Sequence, residues 1–299
     1  MPDSPHFRSG FVALAGRPSA GKSTLLNALC GHKVSIISPK PQTTRNVIRG
    51  VVNRTDFQLV FLDTPGFSGE GHFLEELCRA LQKAEAILYL MDLSRPPCGV
   101  DGEEQGLLAL VREALEKEPR PLIAVLNKTD LLEAEIFEQH RTAYFKLLAQ
   151  YFPRKDFAGS CFEISAKKQE GLEELLQFLG GNLPPGEPLY DADIYTDQEP
   201  EFRIRELIRE QALSFCGKEL PYALYVEVAD LEHRDDGFWV RAFLQVERET
   251  QKGILVGKGG QRIREIRKRS TRSLRREFAC PVQLDLQVKV DYKWRRKSR

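Results

Sequence analysis

The stretch GRPSAGKS, residues 16–23, constrains the fold more than any other part of the sequence. It lies between the apolar run FVALAG and the helix-like run TLLNALCG, and it matches the pattern G-x-x-x-x-G-K-[ST]. In such a strand-loop-helix unit, backbone N–H groups at the positive helix end bind phosphate. Lys22 reaches the β- and γ-phosphate oxygens, and the Ser23 hydroxyl is a ligand of Mg²⁺. The loop therefore predicts an α/β fold that binds a nucleotide.

Apolar runs of strand length alternate with amphipathic stretches of helical length from residue 10 to about residue 180. These runs are FVALAG, FQLVFLD, AILYLMD, LIAVLN and CFEIS. Strands that are apolar on both sides are buried on both faces, which requires helices on either side of a mostly parallel sheet. We therefore predict a doubly wound α/β P-loop domain over residues 1–182.

Three further motifs end predicted strands, at the sheet edge where open α/β folds bind ligands. DTPG, residues 63–66, ends FQLVFLD, and Asp63 there suits the water shell of a metal ion. NKTD, residues 127–130, closes LIAVLN, and ISA, residues 164–166, closes CFEIS. DTPG alone would be a common turn, but the four motifs in this order predict a guanine-nucleotide site.

Guanine is the predicted base because it presents N1–H and an exocyclic amine as adjacent donors, which one carboxylate, Asp130, can accept together. The Asn127 amide suits the O6/N7 edge, the Lys128 stem can lie along the base, and the Ala166 N–H can donate to O6. Adenine would leave these buried groups unpaired. The predicted nucleotide-binding residues are Gly16, Arg17, Pro18, Ser19, Ala20, Gly21, Lys22, Ser23, Thr24, Asp63, Thr64, Pro65, Gly66, Asn127, Lys128, Asp130, Ser165 and Ala166.

The polar segment SPKPQTTRN, residues 38–46, lies between the first two motifs and can close over the γ-phosphate and Mg²⁺. Either of its threonines suits the metal, and we favour Thr44 over Thr43. The predicted metal ligands are therefore Ser23, Thr44 and Asp63. The predicted catalytic residues are Lys22, Thr44 and Gly66.

The chain changes character after residue 182. Residues 183–200, rich in proline and acids, predict an interdomain linker. After the linker, the pattern indicates a helix, two strands joined at Asp235-Asp236-Gly237, a short apolar segment at residues 253–256, a second helix and an alternating strand. This order predicts a small α+β domain over residues 201–299. Its end is basic, since residues 252–299 carry 16 Lys and Arg against 4 Asp and Glu, although the whole chain has a net charge of only +1.

A second glycine-lysine stretch, VGKGGQRIREIRKRS, lacks the spacing of a nucleotide loop and has no serine or threonine after its GK pair. Its G-x-x-G turn opens a helix whose apolar residues Ile263, Ile266, Leu274 and Phe278 are surrounded by arginines. A bare glycine turn lets the main chain approach a sugar-phosphate backbone, as in the GXXG loop of a KH domain. The predicted RNA-binding residues are Gly257, Lys258, Gly259, Gly260, Arg262, Arg264 and Lys268.

The segments ISPKPQTTRN, FLDTPGF and QKGILVGKGG resemble the Era family of GTPases, and the resemblance covers nearly the whole chain. It implies a GTPase domain followed by a type II KH domain, with residues 16–23, 42–46, 63–66, 127–130 and 164–166 in the family's five nucleotide roles. It also implies binding near the 3′ end of small-subunit ribosomal RNA, with bases in a groove that includes Ile254, Val256 and Ile263, and a role in assembly of the small (30S) ribosomal subunit.

Two positions bear on the mechanism that the resemblance implies. Many small GTPases have a water-orienting glutamine after the glycine of DxxG, but this chain has Phe67, which cannot orient water. We therefore expect hydrolysis to be slow without a partner. Related GTPases often carry an asparagine that is implicated in potassium binding at the position of Ser19. Potassium is therefore left open as a cofactor beside GTP, GDP and Mg²⁺.

The leading interpretation is a GTP hydrolase whose nucleotide state controls an RNA-binding domain, and the alternative is an RNA-binding protein in which GTP is a structural or regulatory ligand. A third reading makes the basic end a membrane-surface patch. The apolar runs are far shorter than the ~20 residues of a membrane span, and the N-terminus lacks targeting features. Six dispersed cysteines without a C-x-x-C pair indicate reduced thiols rather than a metal site. We expect a cytoplasmic monomer, with a fraction peripheral to the inner membrane.

Overall fold

The computed structural model describes residues 7–38, 43–44, 46–67, 71–97, 102–153, 157, 159–216, 224–235 and 237–292. These residues form two compact units. The first comprises residues up to 35 and residues 44–197, and the second comprises residues 36–43 and 198–299. Within the described ranges, no helix is both long and apolar enough to cross a membrane.

The first unit is built on a mixed sheet of order β2-β3-β1-β4-β5-β6. All neighbouring strands pair in parallel except β2 and β3, which are antiparallel. The strands are β1 (Arg8–Gly16), β2 (Ile48–Asn53), β3 (Phe57–Asp63), β4 (Ala86–Asp92), β5 (Leu122–Asn127) and β6 (Cys161–Ile164). The mostly parallel sheet predicted from the apolar runs is confirmed.

Helices flank this sheet, as the two-sided burial of its strands requires. They are α1 (Lys22–Cys30), α2 (Gly71–Lys83), α3 (Gly102–Lys117), α4 (Ala134–Tyr151) and α5 (Leu172–Asn182). Every residue of β3, β4 and β5 is buried. A strand that is buried along its whole length can present polar groups only where it ends, so the motif residues Asp63 and Asn127 lie at such ends.

Residues 183–197, assigned to a linker by their composition, pack on the first unit. The N–H groups of Leu189 and Tyr190 both donate to Gln58 Oε1, at 2.7 and 2.9 Å. The Val51 N–H donates to the carbonyl oxygen of Tyr195 at 2.9 Å. Proline and acidic residues thus prevent regular secondary structure here without preventing a fixed path, because hydrogen bonds from β2 and β3 hold the backbone.

The second unit contains a sheet of order β7-β8-β9 with helices on one face. The β7 and β8 strands pair antiparallel, and β8 and β9 pair in parallel. Its elements are α6 (Pro200–Leu213), β7 (Tyr225–Arg234), β8 (Gly237–Val246), α7 (Glu249–Val256), α8 (Gln261–Phe278) and β9 (Val282–Val290). The small α+β fold is confirmed, and the order predicted from the sequence holds for every element except α7, which was not predicted.

One prediction for this unit needs correction. Residues 253–256, expected to be a short apolar segment before the G-x-x-G turn, form the last turn of α7. The helix begins through a capping box, in which the Gln251 side chain accepts from the Arg248 N–H at 3.0 Å. Only Leu255 of this turn enters the core, and Ile254 is 39% exposed. The sequence shows no helical periodicity here, because α7 is only 8 residues long and Leu255 is its buried residue.

Candidate nucleotide and RNA sites

The phosphate-binding loop holds a buried cation. The Lys22 ammonium is only 6% exposed and donates to the carbonyl oxygens of Gly16 and Arg17, at 2.7 and 3.1 Å. Burial lowers the pKa of Lys22 from 10.5 to about 8, against the opposing effect of Asp63 and Glu104. The loop closes through Gly21 at φ 101°, where a Cβ would collide with the Asn127 amide nitrogen. The structure thus presents a lysine already turned into the loop.

The three predicted metal ligands come together at the end of β3. Ser23 Oγ lies 2.7 Å from Asp63 Oδ2 and 3.1 Å from Thr44 Oγ1. Ser35, which sequence reasoning missed, also donates to Asp63 Oδ2, at 3.0 Å. Asp63 is fully buried, and burial is the main cause of its raised pKa, which Lys22 opposes.

The donor set fits Mg²⁺. Asp63 Oδ1 is buried and has no hydrogen-bond partner among the described residues. A buried carboxylate oxygen without a partner is costly unless a cation or water satisfies it. Hydroxyl and carboxylate oxygens are the ligands that Mg²⁺ prefers. Gln42 and Arg45, within the predicted switch segment 42–46, lie outside the described residues.

The base-side loops meet through Asn127. Its Nδ2 donates to the Ala20 carbonyl oxygen at 2.9 Å, and its Oδ1 accepts from the Ala166 N–H at 3.1 Å. Asn127 therefore ties the phosphate loop to the loop after β6, a bridging role that the sequence did not indicate. The Ser165 hydroxyl donates to Asp130 Oδ1 at 2.7 Å, which orients the predicted base-reading carboxylate.

Lys128 reaches the phosphate loop as well. Its ammonium donates to the Ser19 carbonyl oxygen at 2.9 Å and to Asp92 Oδ2 at 2.6 Å. Asp92 is buried at the end of β4, and sequence reasoning missed it although it repeats the signal of Asp63, an acid closing a buried strand. The Thr64 hydroxyl donates to the Leu14 carbonyl oxygen at 2.7 Å.

The segment after Asp63 packs against the phosphate loop. A Cβ on Gly66 would lie 2.9 Å from Pro18 Cα, so a larger residue would push the two loops apart. The Phe67 ring packs on the apolar core and on Gly106, where an added Cβ would lie 2.9 Å from two ring carbons. Phe67 thus points into the protein, in keeping with a residue that does not orient water.

The G-x-x-G turn exposes main chain. Gly257, Gly259 and Gly260 have φ values of 71°, 57° and 75°, which glycine adopts without strain. Lys258 and Gly259 are exposed, and Gly260 caps the N-terminus of α8. The Arg262 guanidinium donates to the Ile254 carbonyl oxygen at 3.0 Å. This predicted RNA-binding residue of α8 therefore also links α8 to α7 across the turn.

Helix α8 separates its apolar and basic residues. Ile266 and Leu274 are fully buried, and Ile263 and Phe278 pack against the same core. The basic side chains are exposed: Arg262, Arg264, Arg267, Lys268, Arg269, Arg272, Arg275 and Arg276. Such a helix joins a folded core to a surface that attracts a polyanion.

Both parts of the chain match known families of proteins. Residues 11–128 match the family model for a 50S ribosome-binding GTPase, and residues 219–295 match the KH domain model. GTPase Era of Treponema denticola is 46% identical over 297 residues, with 97% of each chain covered. GTPase Era of Borreliella burgdorferi is 38% identical over 299 residues, with 98% of this chain and 97% of the relative covered.

Two solved structures are similar to nearly the whole chain. A variant of Aquifex aeolicus Era bound to GDP·AlF4⁻ has a TM-score of 0.86 at 33% identity, with 97% of this chain and 96% of that chain covered. An Era complex with MgGDPNP and nucleotides 1506–1542 of 16S ribosomal RNA also has a TM-score of 0.86 at 33% identity, with 98% and 96% covered. This chain is therefore similar, over nearly its whole length, to one protein solved with GDP·AlF4⁻ and to one solved with MgGDPNP and RNA.

Proposed function

Because the chain belongs to the Era family of GTPases, we propose that it is a GTP-hydrolysing switch that binds the 3′ region of small-subunit ribosomal RNA and assists assembly of the small (30S) subunit. The cluster of Ser23, Thr44 and Asp63 carries the proposal, because it brings ligands from three separate segments to the loop that holds Lys22. The RNA partner is supported by the exposed G-x-x-G turn and by the solved relative bound to 16S ribosomal RNA.

The residues divide the work of hydrolysis. Ser23, Thr44 and Asp63 would hold Mg²⁺, which when bound would supply positive charge beside the phosphate oxygens. Lys22 supplies a cation that needs no large movement from its buried position, and the N–H groups of the loop offer fixed dipoles. Asp130 selects guanine and is oriented by Ser165. Catalysis by this set is positioning and electrostatic stabilisation, as phosphoryl transfer requires.

Slow intrinsic turnover follows from Phe67. Its ring packs on Gly106 rather than toward solvent, so the chain offers no side chain at that position to orient water. A partner that orients the attacking water would raise the rate, and RNA is the partner for which the chain has a second site.

The base-reading role is tested by Asp130→Asn. An amide can donate to the O2 of xanthine but can no longer accept both guanine donors, so we expect preference to move from GTP to XTP, with GTP affinity falling by about a thousandfold. Nucleotide competition against a fluorescent analogue measures this. Ser165→Ala is the matched control, since it frees the same carboxylate without changing its chemistry and should weaken GTP binding without favouring XTP. Unchanged GTP selectivity in Asp130→Asn would refute the role.

A turnover experiment separates the switch from the alternative protein in which GTP is a structural or regulatory ligand. The probe is RNA of the sequence seen in the solved relative, nucleotides 1506–1542, with a scrambled RNA as control. The switch predicts that this RNA stimulates repeated phosphate release. The alternative predicts one turnover or none with either RNA.

We further propose a monomer in the cytoplasm with a fraction peripheral to the inner membrane. The exposed arginines of α8 support a surface attraction to anionic lipid. Co-sedimentation with anionic and with neutral vesicles tests this. Binding to anionic vesicles that is lost with moderate salt is the expected result, and equal recovery with both vesicles would contradict it.

A further inference from the structure

A buried carboxylate lies beside the phosphate loop and has no part in the proposed chemistry. Glu104, in the first turn of α3, is 1% exposed. Its Oε2 pairs with Arg17 Nε at 2.8 Å, and its Oε1 accepts from the Tyr89 hydroxyl. An ion pair with so little exposure costs solvation energy on both sides, so it is retained only where its geometry is needed or its neighbours compensate.

The pair acts on the backbone that holds Lys22. Arg17 is the second residue of the phosphate loop, and its carbonyl oxygen accepts from the Lys22 ammonium at 3.1 Å. Its side chain leaves the loop toward α3, where Glu104 holds it. A loop residue anchored at its side chain has less freedom in its backbone, which is the part that faces phosphate and lysine.

The same turn of α3 also seats the segment after Asp63. Gly106 lies two residues beyond Glu104, and the Phe67 ring occupies the space that a Cβ of Gly106 would need. Gly66, next to Phe67, contacts Pro18, which follows Arg17. Neither Gly66 nor Gly106 has a positive φ, so both positions need glycine for space rather than for backbone conformation.

These contacts close a ring. It runs from Glu104 to Arg17, along the chain to Pro18, across to Gly66, along the chain to Phe67, and back to α3 at Gly106. The Pro18–Gly66 contact joins the two loops that, by their motifs, face the terminal phosphate of GTP. Because both loops are attached to one helix turn, the distance between them depends on α3.

We propose that Glu104 and Gly106 are positioning residues for GTP hydrolysis, which set the spacing of Pro18 and Gly66. The inference rests on the proposed GTPase function. GDP lacks the phosphate that lies between these loops. Loss of the contacts from Glu104 through Arg17, Pro18, Gly66 and Phe67 to Gly106 therefore affects turnover of GTP more than affinity for GDP. A merely structural ion pair would instead change stability, or both nucleotides equally.

Glu104→Gln tests the contact of α3 with Arg17, and Gly106→Ala tests its contact with Phe67. Gln keeps the shape and one acceptor oxygen, which can still face Arg17, but it removes the charge and places an NH2 donor toward the Tyr89 oxygen. Ala places a Cβ against the Phe67 ring. For each variant we expect kcat at saturating GTP to fall roughly tenfold, while the Kd for GDP changes by less than about threefold. Full-length protein is used, well below its melting temperature.

A rescue and two controls make the test specific. Adding Phe67→Leu to Gly106→Ala relieves the clash and should restore most of the lost kcat. The two controls lie on the same helix. Gly102 has open space around it, and Glu113 is exposed and pairs with Lys117. Gly102→Ala and Glu113→Gln should therefore leave kcat unchanged.

The outcomes separate the inference from the function on which it rests. Wild-type kcat in folded Gly106→Ala, a GDP affinity that falls as much as kcat, or failure of Phe67→Leu to rescue would each overturn the inference. Gly106→Ala keeps the test valid if Glu104→Gln does not fold. Absence of hydrolysis by the wild-type chain would instead overturn the proposed GTPase function.

Discussion

The two glycine-lysine loops share a residue pair but differ in where the lysine lies. In the first loop, Lys22 is 6% exposed and donates to two carbonyl oxygens of its own loop. In the second, Lys258 is exposed and follows Gly257, in a turn with positive φ at three glycines. The first loop is a closed site with a buried cation, and the second is an open turn on the surface.

This difference decides which phosphate each loop suits. A buried ammonium beside Asp63 and the hydroxyls of Ser23 and Thr44 suits a small ligand that brings its own metal and is enclosed. An exposed glycine turn that caps α8 suits a long, flexible backbone, because any phosphate along a strand can approach it. Sequence similarity between two short motifs is therefore a poor guide to ligand, and burial is a better one.

Replacing the buried lysine of the first loop gives the largest expected effect. Lys22→Ala should lower affinity for GTP and GDP by roughly 100- to 1,000-fold, because a buried charge-assisted contact to phosphate is lost. Lys258→Ala is the matched control and should leave nucleotide affinity unchanged. Fluorescent-nucleotide titration measures both, with a thermal melt to confirm folding. A loss below tenfold for Lys22→Ala would show that the first loop does not depend on its buried cation.

The converse change tests the second loop. Lys258→Asp combined with Gly259→Asp places two acids in the exposed turn and should lower RNA affinity by about 100-fold while intrinsic GTP hydrolysis is unchanged. Filter binding with the 1506–1542 RNA measures it.

The control for that change must separate local from general charge. Lys146→Asp with Gly159→Asp makes the same charge change at an exposed lysine and at a glycine with open space, both in the first unit. Its RNA affinity should fall only slightly. Equal losses in the two double variants would mean that overall charge, rather than the G-x-x-G turn, binds the RNA.

The smallest expected effect is a pH dependence confined to the first loop. Burial lowers the pKa of Lys22 to about 8, and bound phosphates favour its charged form, so nucleotide binding takes up a proton above that pH. Affinity for GDP should therefore be flat below about 8 and fall by up to about tenfold per pH unit above it. Titrations across this range measure the slope. Lys258→Ala should give the same curve, and a flat wild-type curve would contradict the lowered pKa.

Much of the first unit could be predicted because its signals are local. An apolar run that ends in Asp63 or Asn127 specifies both a buried strand and a polar group at its carboxyl end, and parallel strands bring such ends to one edge. Asp63 was predicted in this way, Ser23 from the G-x-x-x-x-G-K-[ST] pattern and Thr44 from the polar segment 38–46, and the three lie together. Asp92 carried the same signal and was missed, because no motif accompanies it.

Other features left no local signal. Residues 183–197 have a linker's composition, yet hydrogen bonds to Gln58 and Val51 hold them on the first unit. Residues 253–256 are apolar but too few to show helical periodicity. Their helix, α7, is stabilised by its capping box and by the burial of Leu255. In the first case, hydrogen bonds made across long sequence separations override local preference.

The sequence by itself determined the two folds, the order of the nucleotide motifs and the basic G-x-x-G helix, since spacing and periodicity are properties of neighbouring residues. Only the tertiary structure decided that Lys22 is buried while Lys258 is exposed, that Asn127 bridges two loops, and that Glu104 reaches Arg17 across 87 residues of chain. The physical reason is that burial, and the charge and hydrogen bonding that depend on it, arise from residues brought together by packing rather than from residues adjacent in the chain.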